Sequence, residues 1–145
     1  MNRQPLFDLL AEAYRTYWQD VDACRKNLRP TDGLFGLGHS LADDACHDRF
    51  DRQLCAAVQA LRDANLNPDE AETAVRMILE PDDKPEWPQA AQWMLRAAER
   101  HALLLIPFLS KDGAARLCSA YASRYKPWDR LPAQREVYKA LKSKS

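Results

Sequence analysis

Apolar residues recur at helical spacing along almost the whole chain, and this periodicity constrains the fold more than any other feature. The first stripe spans about six turns and comprises Leu6, Leu10, Ala13, Tyr14, Tyr17, Val21, Cys24 and Leu28. No alternating run of β-forming residues lasts four positions, so strands are not expected. The sequence therefore predicts an all-α fold, a single compact bundle of five to six helices.

Local capping signals indicate where the helices begin and end. Ser40 starts an S-x-x-D motif and is the predicted N-cap of the second helix. Asn67 and Ser110 are the predicted caps of the third and fifth helices. Pro107 lacks a backbone N–H, so the fourth helix is expected to end near Ile106.

The length of 145 residues fits one domain, predicted to span residues 1–145. No apolar run approaches the ~18 residues of a membrane span, and the N-terminus lacks the pattern of a signal peptide. We therefore expect a cytoplasmic protein with no membrane partner. The four cysteines form no C-x-x-C motif and lie near apolar stripes, so we expect reduced thiols that pack as small hydrophobes.

Charge is unevenly distributed although the chain is neutral overall. Residues 39–86 carry twelve acids and five bases, a net charge of −7, whereas residues 111–145 carry nine bases and three acids, a net charge of +6. The neutral total argues against generic nucleic-acid binding. The two charged regions are compatible with a charged partner.

The stretch "GLFGLGHS", residues 33–40, contains three of the four glycines and precedes the acidic second helix. It is not a phosphate-binding P-loop, because the lysine is missing and no strand leads into it. An apolar centre with a charged edge is typical of a protein-binding surface. The predicted binding residues are Leu34, Phe35, Leu37, Asp44, Asp48 and Asp51. The alternative is that the loop only packs over the bundle.

Histidine and aspartate side chains form a candidate metal or acid–base site. The helical spacing places Asp43 and His47 on the core side of the second helix, and His101 on the flank of an apolar face in the fourth. With His39, these residues have the ligand types that zinc or another divalent metal prefers. The alternative is that Asp43 serves as a capping residue and the histidines belong to the core, with no cofactor.

The C-terminal third mixes basic and aromatic residues and is the second candidate binding region. Its predicted binding residues are Arg124, Lys126, Trp128 and Arg130. Such a mixture binds acidic proteins or stacks on nucleic-acid bases. The alternative is a solvated basic face with packed tyrosines.

The function that these observations favour is protein–protein interaction, as in an inhibitor, an immunity-type protein or a regulatory binding protein. A small metal-dependent or acid–base enzyme that uses His39, Asp43, His47 and His101 is the first alternative. A nucleic-acid accessory protein that uses the basic C-terminal third is the second. The motifs of known catalytic classes are missing from the sequence, which is why an enzyme is not favoured.

Overall fold

The computed structural model describes the backbone of residues 2–26, 37–82 and 87–145, and their side chains except those of residues 25–26 and 37–44. This part of the chain contains six α-helices: α1 (Gln4–Lys26), α2 (Leu37–Asp63), α3 (Pro68–Leu79), α4 (Pro88–Glu99), α5 (Lys111–Arg124) and α6 (Pro132–Lys144). It also contains 3-10 helices at Arg100–Leu104, Ile106–Phe108 and Pro127–Asp129, and no strand. The predicted all-α fold with five to six helices is confirmed.

The chain divides into two compact units, Met1–Ala57 and Val58–Ser145. The boundary between them falls inside α2, and each unit buries its own set of apolar side chains. The prediction of a single domain over residues 1–145 stays a prediction.

In the first unit, α1 packs antiparallel against the beginning of α2. The ring of Phe50 lies 5.4 Å from that of Tyr14 and 5.0 Å from that of Tyr17, measured between centroids. One turn further along α1, Asp20 forms an ion pair with Arg49, with 3.2 Å between oxygen and nitrogen. The apolar residues spaced three and four apart on each helix pack together in the core of this unit. This core contains Leu10, Ala13, Tyr17, Val21, Cys46, Phe50, Leu54 and Ala57.

In the second unit, α5 packs against both α3 and α6, and α3 also contacts α4. The 3-10 helix at Arg100–Leu104 packs against α6. Removal of apolar side chains from water is the main stabilising contribution to such a core. The buried apolar side chains include Leu61, Ala74, Val75, Ile78, Met94, Ala98, Leu105, Leu117, Tyr121, Val137 and Leu141.

Side-chain caps begin α3 and α5 at the predicted residues. The Asn67 side chain accepts a hydrogen bond from the backbone of Glu70 (2.9 Å), and the Glu70 carboxylate accepts one from the backbone of Asn67 (3.0 Å). The Ser110 hydroxyl accepts a hydrogen bond from the backbone N–H of Gly113 (2.9 Å). The predicted caps Asn67 and Ser110 are therefore confirmed, and each satisfies backbone donors that the helix itself leaves unpaired.

Two predicted helix boundaries are wrong. The second helix begins at Leu37, so Ser40 lies inside its first turn and is not the N-cap. A capping motif is worth only about 1 kcal/mol, so it does not exclude an earlier start. The fourth α-helix ends at Glu99, and the chain continues as the 3-10 helix Arg100–Leu104. Pro107 cannot donate to the carbonyl four residues before it, and the chain tightens into 3-10 turns before reaching the proline.

Candidate functional site

The binding surface predicted at the glycine-rich loop is described only in part. Leu34 and Phe35 lie outside the described residues, as do the side chains of Leu37 and Asp44, which belong to the first turns of α2. Asp48 is exposed on α2, and Asp51 on the same helix is half-buried. The contribution of this surface to binding stays a prediction.

The histidine cluster is likewise described only in part. The side chains of His39 and Asp43 lie outside the described residues. The described side chains contain no group of three or more His, Cys, Asp or Glu residues arranged to hold a metal ion. His47 belongs to the first unit and His101 to the second. The four-residue metal site therefore stays a prediction.

His47 and His101 are both half-buried. His47 stacks on the edge of the core against Tyr17, with 6.3 Å between the ring centroids. His101 lies in the 3-10 helix, where each residue advances by about 120° instead of about 100°. Its position on the apolar face therefore differs from the one expected for a continuous α-helix.

Trp128 is the most exposed large apolar side chain among the described residues, with 80% of its surface accessible. It lies in the 3-10 helix Pro127–Asp129, which connects α5 to α6. Lys126 precedes it and is also exposed, and Leu131, which follows, is 41% exposed. The connector thus presents an indole, an ammonium group and an aliphatic side chain to solvent.

The residues on both sides of Trp128 are held by side-chain contacts. Arg130 donates from Nε to the backbone carbonyl of Tyr125 (3.0 Å), and its guanidinium group lies 3.9 Å from the centroid of the Tyr138 ring. Arg124 donates from Nη1 to the carbonyl of Leu79 at the end of α3 (2.7 Å). Four residues were predicted in this region. Arg124 and Arg130 hold the two ends of the connector through these contacts, whereas Lys126 and Trp128 face solvent.

A buried carboxyl group is linked to the same connector through Tyr125. Glu99, at the end of α4, is only 1% exposed. Burial raises its pKa, and this effect exceeds the opposing effect of the nearby polar groups of Tyr125, Gln134 and Tyr121. Burial, reinforced by the charge of Glu99, also raises the pKa of Tyr125 to about 12.

The contacts of Glu99 are unequal in quality. The Oε1 atom of Glu99 and the Tyr121 hydroxyl are buried, and neither has a hydrogen-bond partner among the described residues. Of the contacts that Glu99 makes with Tyr125, Gln134 and Tyr121, the one with Tyr121 is therefore the weakest. Gln134 is oriented by its own oxygen, which accepts from the backbone of Leu131 (2.9 Å). Its amide nitrogen is therefore the group available to donate to the carboxylate.

Sequence reasoning missed Glu99, although one signal was available. Tyr121 and Tyr125 lie one turn apart in the sequence, on the same side as the apolar Ala114 and Leu117 of α5. Buried tyrosine hydroxyls need a polar partner. A polar residue on a facing helix was therefore to be expected, and Glu99 follows Ala98 on the apolar side of α4.

A groove between α3 and α5 contains charges that already compensate one another. The Glu72 carboxylate accepts two hydrogen bonds from Arg116 (2.6 and 3.1 Å) and one from Arg76 (3.1 Å). These contacts, with Arg116 the stronger, lower the pKa of Glu72. Because Glu72, Arg76 and Arg116 in its lining are paired with one another, the groove is a weaker candidate for ligand binding than the connector.

Comparison with family models, with curated proteins and with solved structures finds no match. Among the described residues, no helix has the length and apolar character required to cross a membrane.

Proposed function

We propose that this protein binds an acidic segment of another protein through the exposed side chains of Lys126, Trp128 and Leu131, called here the Trp128 surface. The observation that carries the proposal is an indole 80% exposed on a turn whose two sides are fastened. Tryptophan is over-represented among the residues that dominate binding energy at protein interfaces.

The apolar area of Trp128 supports a substantial contribution to binding. A tryptophan buries on the order of 200 Å² at an interface, which corresponds to about 4–5 kcal/mol of gross hydrophobic free energy. Association offsets part of this gain, because groups at the interface lose conformational freedom. The contacts of Arg130 with Tyr125 and Tyr138 reduce that loss, because the turn is already ordered before the partner binds.

Charge supports an acidic partner. Residues 111–145 carry nine bases and three acids, a net charge of +6. The exposed Lys126 is two residues before Trp128, and the exposed acid of the turn is Asp129. Opposite charges accelerate the encounter of two proteins and discriminate against other partners. The proposal therefore describes an inhibitor, an immunity-type protein or another regulatory binding protein, and it includes the expected cytoplasmic location.

Photo-cross-linking identifies the partner and its chemical class. A photo-reactive amino acid replaces Trp128 in the full chain, which is expressed in its natural cells and irradiated. The matched control carries the same amino acid at Leu9, another exposed apolar residue (52%), on α1 of the first unit. We expect one acidic protein to be captured repeatedly from position 128 and not from position 9.

Other capture patterns contradict the proposal. Cross-links from position 128 to RNA or DNA, and not to protein, favour the nucleic-acid accessory function. In that case binding weakens strongly with salt and is retained by purified nucleic acid alone. Identical capture from positions 128 and 9 means that exposure alone determines cross-linking, and the Trp128 surface then has no specific role.

A further inference from the structure

Two thiols of the first unit lie in direct contact across the α1–α2 pair. The Sγ atoms of Cys24 and Cys46 are 3.2 Å apart, and neither is bonded to the other. The ion pair between Asp20 and Arg49, and the contact of Tyr17 with Phe50, hold the same two helix segments in register. The approach of the two sulfur atoms is therefore part of a packed interface.

The surroundings of the two thiols differ in accessibility. Cys24 on α1 is half-buried, whereas Cys46 is only 4% exposed, so Cys24 is the more accessible of the two thiols. The other two cysteines, Cys55 and Cys118, are half-buried, and Cys118 belongs to the second unit. An oxidant that reacts at Cys24 therefore places its product directly beside the thiol of Cys46.

We propose that Cys24 and Cys46 are a modification site, at which a reversible disulfide joins α1 to α2. Formation of an S–S bond of about 2.0 Å requires the sulfur atoms to move closer by only about 1 Å. Rotation of the two side chains about Cα–Cβ accommodates a movement of that size without separating the helices. The reduced cysteines that the sequence predicts are then one of two redox states of this pair.

The oxidant belongs to the class of low-molecular-weight disulfides, with glutathione disulfide as the example. The Cys24 thiol loses its proton, and the thiolate attacks one sulfur of glutathione disulfide, which breaks that S–S bond and releases one glutathione thiolate. The Cys46 thiolate then attacks Sγ of Cys24 and displaces the second glutathione. The protein loses two electrons and two protons, and one glutathione disulfide becomes two molecules of glutathione.

The bond closes a loop between residues 22 positions apart in the sequence. A crosslink of this length restricts the unfolded chain, and the chain-entropy model gives a rise in the unfolding midpoint of roughly 10 °C. The oxidised protein is therefore more resistant to unfolding than the reduced protein.

A non-reducing peptide map tests the proposal on the folded, full-length chain. The protein is equilibrated with glutathione and glutathione disulfide, remaining thiols are alkylated, and the chain is digested with trypsin. Cys24 falls in the peptide of residues 16–25 and Cys46 in that of residues 27–49, because the Arg29–Pro30 bond resists trypsin. We expect these two peptides to be linked, and the link to disappear on addition of excess glutathione.

Cysteine variants distinguish oxidation of this pair from oxidation of the other cysteines. The double variant Cys55→Ser/Cys118→Ser retains both thiols of the pair and should keep the linked peptide and the rise in midpoint. Cys24→Ser should lose both the linked peptide and the rise in midpoint, with Cys46 recovered in its alkylated form. The proposal is overturned if both cysteines stay alkylatable at every glutathione ratio, if the link forms only in denaturant, or if it joins two chains.

Discussion

Glu99 offers a direct test of how the core of the second unit accommodates a carboxyl group. Its side chain is 1% exposed, and burial raises its pKa above the ordinary value of 4.5. Between 4.5 and the raised pKa, the folded protein binds more protons at this site than the unfolded chain does. Its contribution to stability is therefore complete below pH 4.5 and is lost as the pH rises through the raised pKa.

The substitution Glu99→Gln preserves the size of the side chain and one acceptor oxygen, but removes the titrating group. One proton corresponds to at most about 1.4 kcal/mol of unfolding free energy per pH unit. Between pH 4.5 and the raised pKa of Glu99, the unfolding free energy of the variant should therefore rise relative to that of the wild type. The rise should be at most about 1.4 kcal/mol per pH unit. Glu99→Ala should instead be destabilised by about 1–3 kcal/mol at low pH, because Tyr125 and Gln134 lose their buried partner.

The assay is denaturant unfolding followed by circular dichroism at several values between about pH 4 and pH 8, where the slope of stability with pH reports proton binding. Glu136→Gln, at an exposed position of α6, is the matched control for removal of one negative charge. A difference between Glu99→Gln and wild type that stays constant over this range, after subtraction of the control, refutes the reasoning. A difference that shrinks with pH means that the arginines near Glu99 outweigh its burial.

Three further predictions concern packing and capping. Phe50→Ala should cost about 3–5 kcal/mol in denaturant unfolding, because the ring is buried against Tyr14 and Tyr17; a loss below about 1 kcal/mol contradicts the described core. Asn67→Ala should cost about 1 kcal/mol through loss of the α3 capping box, and an unchanged midpoint means that the cap contributes nothing. Gly113→Ala gains about 1 kcal/mol of helix propensity, but its added Cβ meets Glu72 Oε1 at 2.7 Å, so the carboxylate must shift. The substitution should therefore be more favourable in a Glu72→Ala background than in the wild type, and equal effects in both backgrounds exclude this contact.

The elements of the fold were predictable from sequence where the signals are local. The caps Asn67 and Ser110 satisfy nearby backbone donors, so a few adjacent residues suffice to identify them. The end of α4 was harder to predict. The change from α-helix to 3-10 helix begins after Glu99, several residues before Pro107. The start of α2 at Leu37 was missed because the capping motif at Ser40 is only one weak contribution among several.

The candidate sites depend on contacts between helices, which periodicity does not specify. The contact between Cys24 and Cys46 follows from the register of α1 against α2, and an apolar stripe leaves that register open. Trp128 was identified as a candidate, but its exposure depends on how Arg130 and Tyr138 fasten the connector. Glu99 was missed because a single acidic residue beside an apolar stripe normally faces solvent.

The affinity of the Trp128→Ala variant for the protein captured at position 128 tests the central claim most directly. Because the indole is 80% exposed, the variant should unfold within about 0.5 kcal/mol of the wild type, so any loss of binding is not a loss of folding. The account predicts a dissociation constant at least about 30-fold higher for Trp128→Ala, and an unchanged constant for the control Leu9→Ala. Wild-type affinity in a folded Trp128→Ala variant contradicts it.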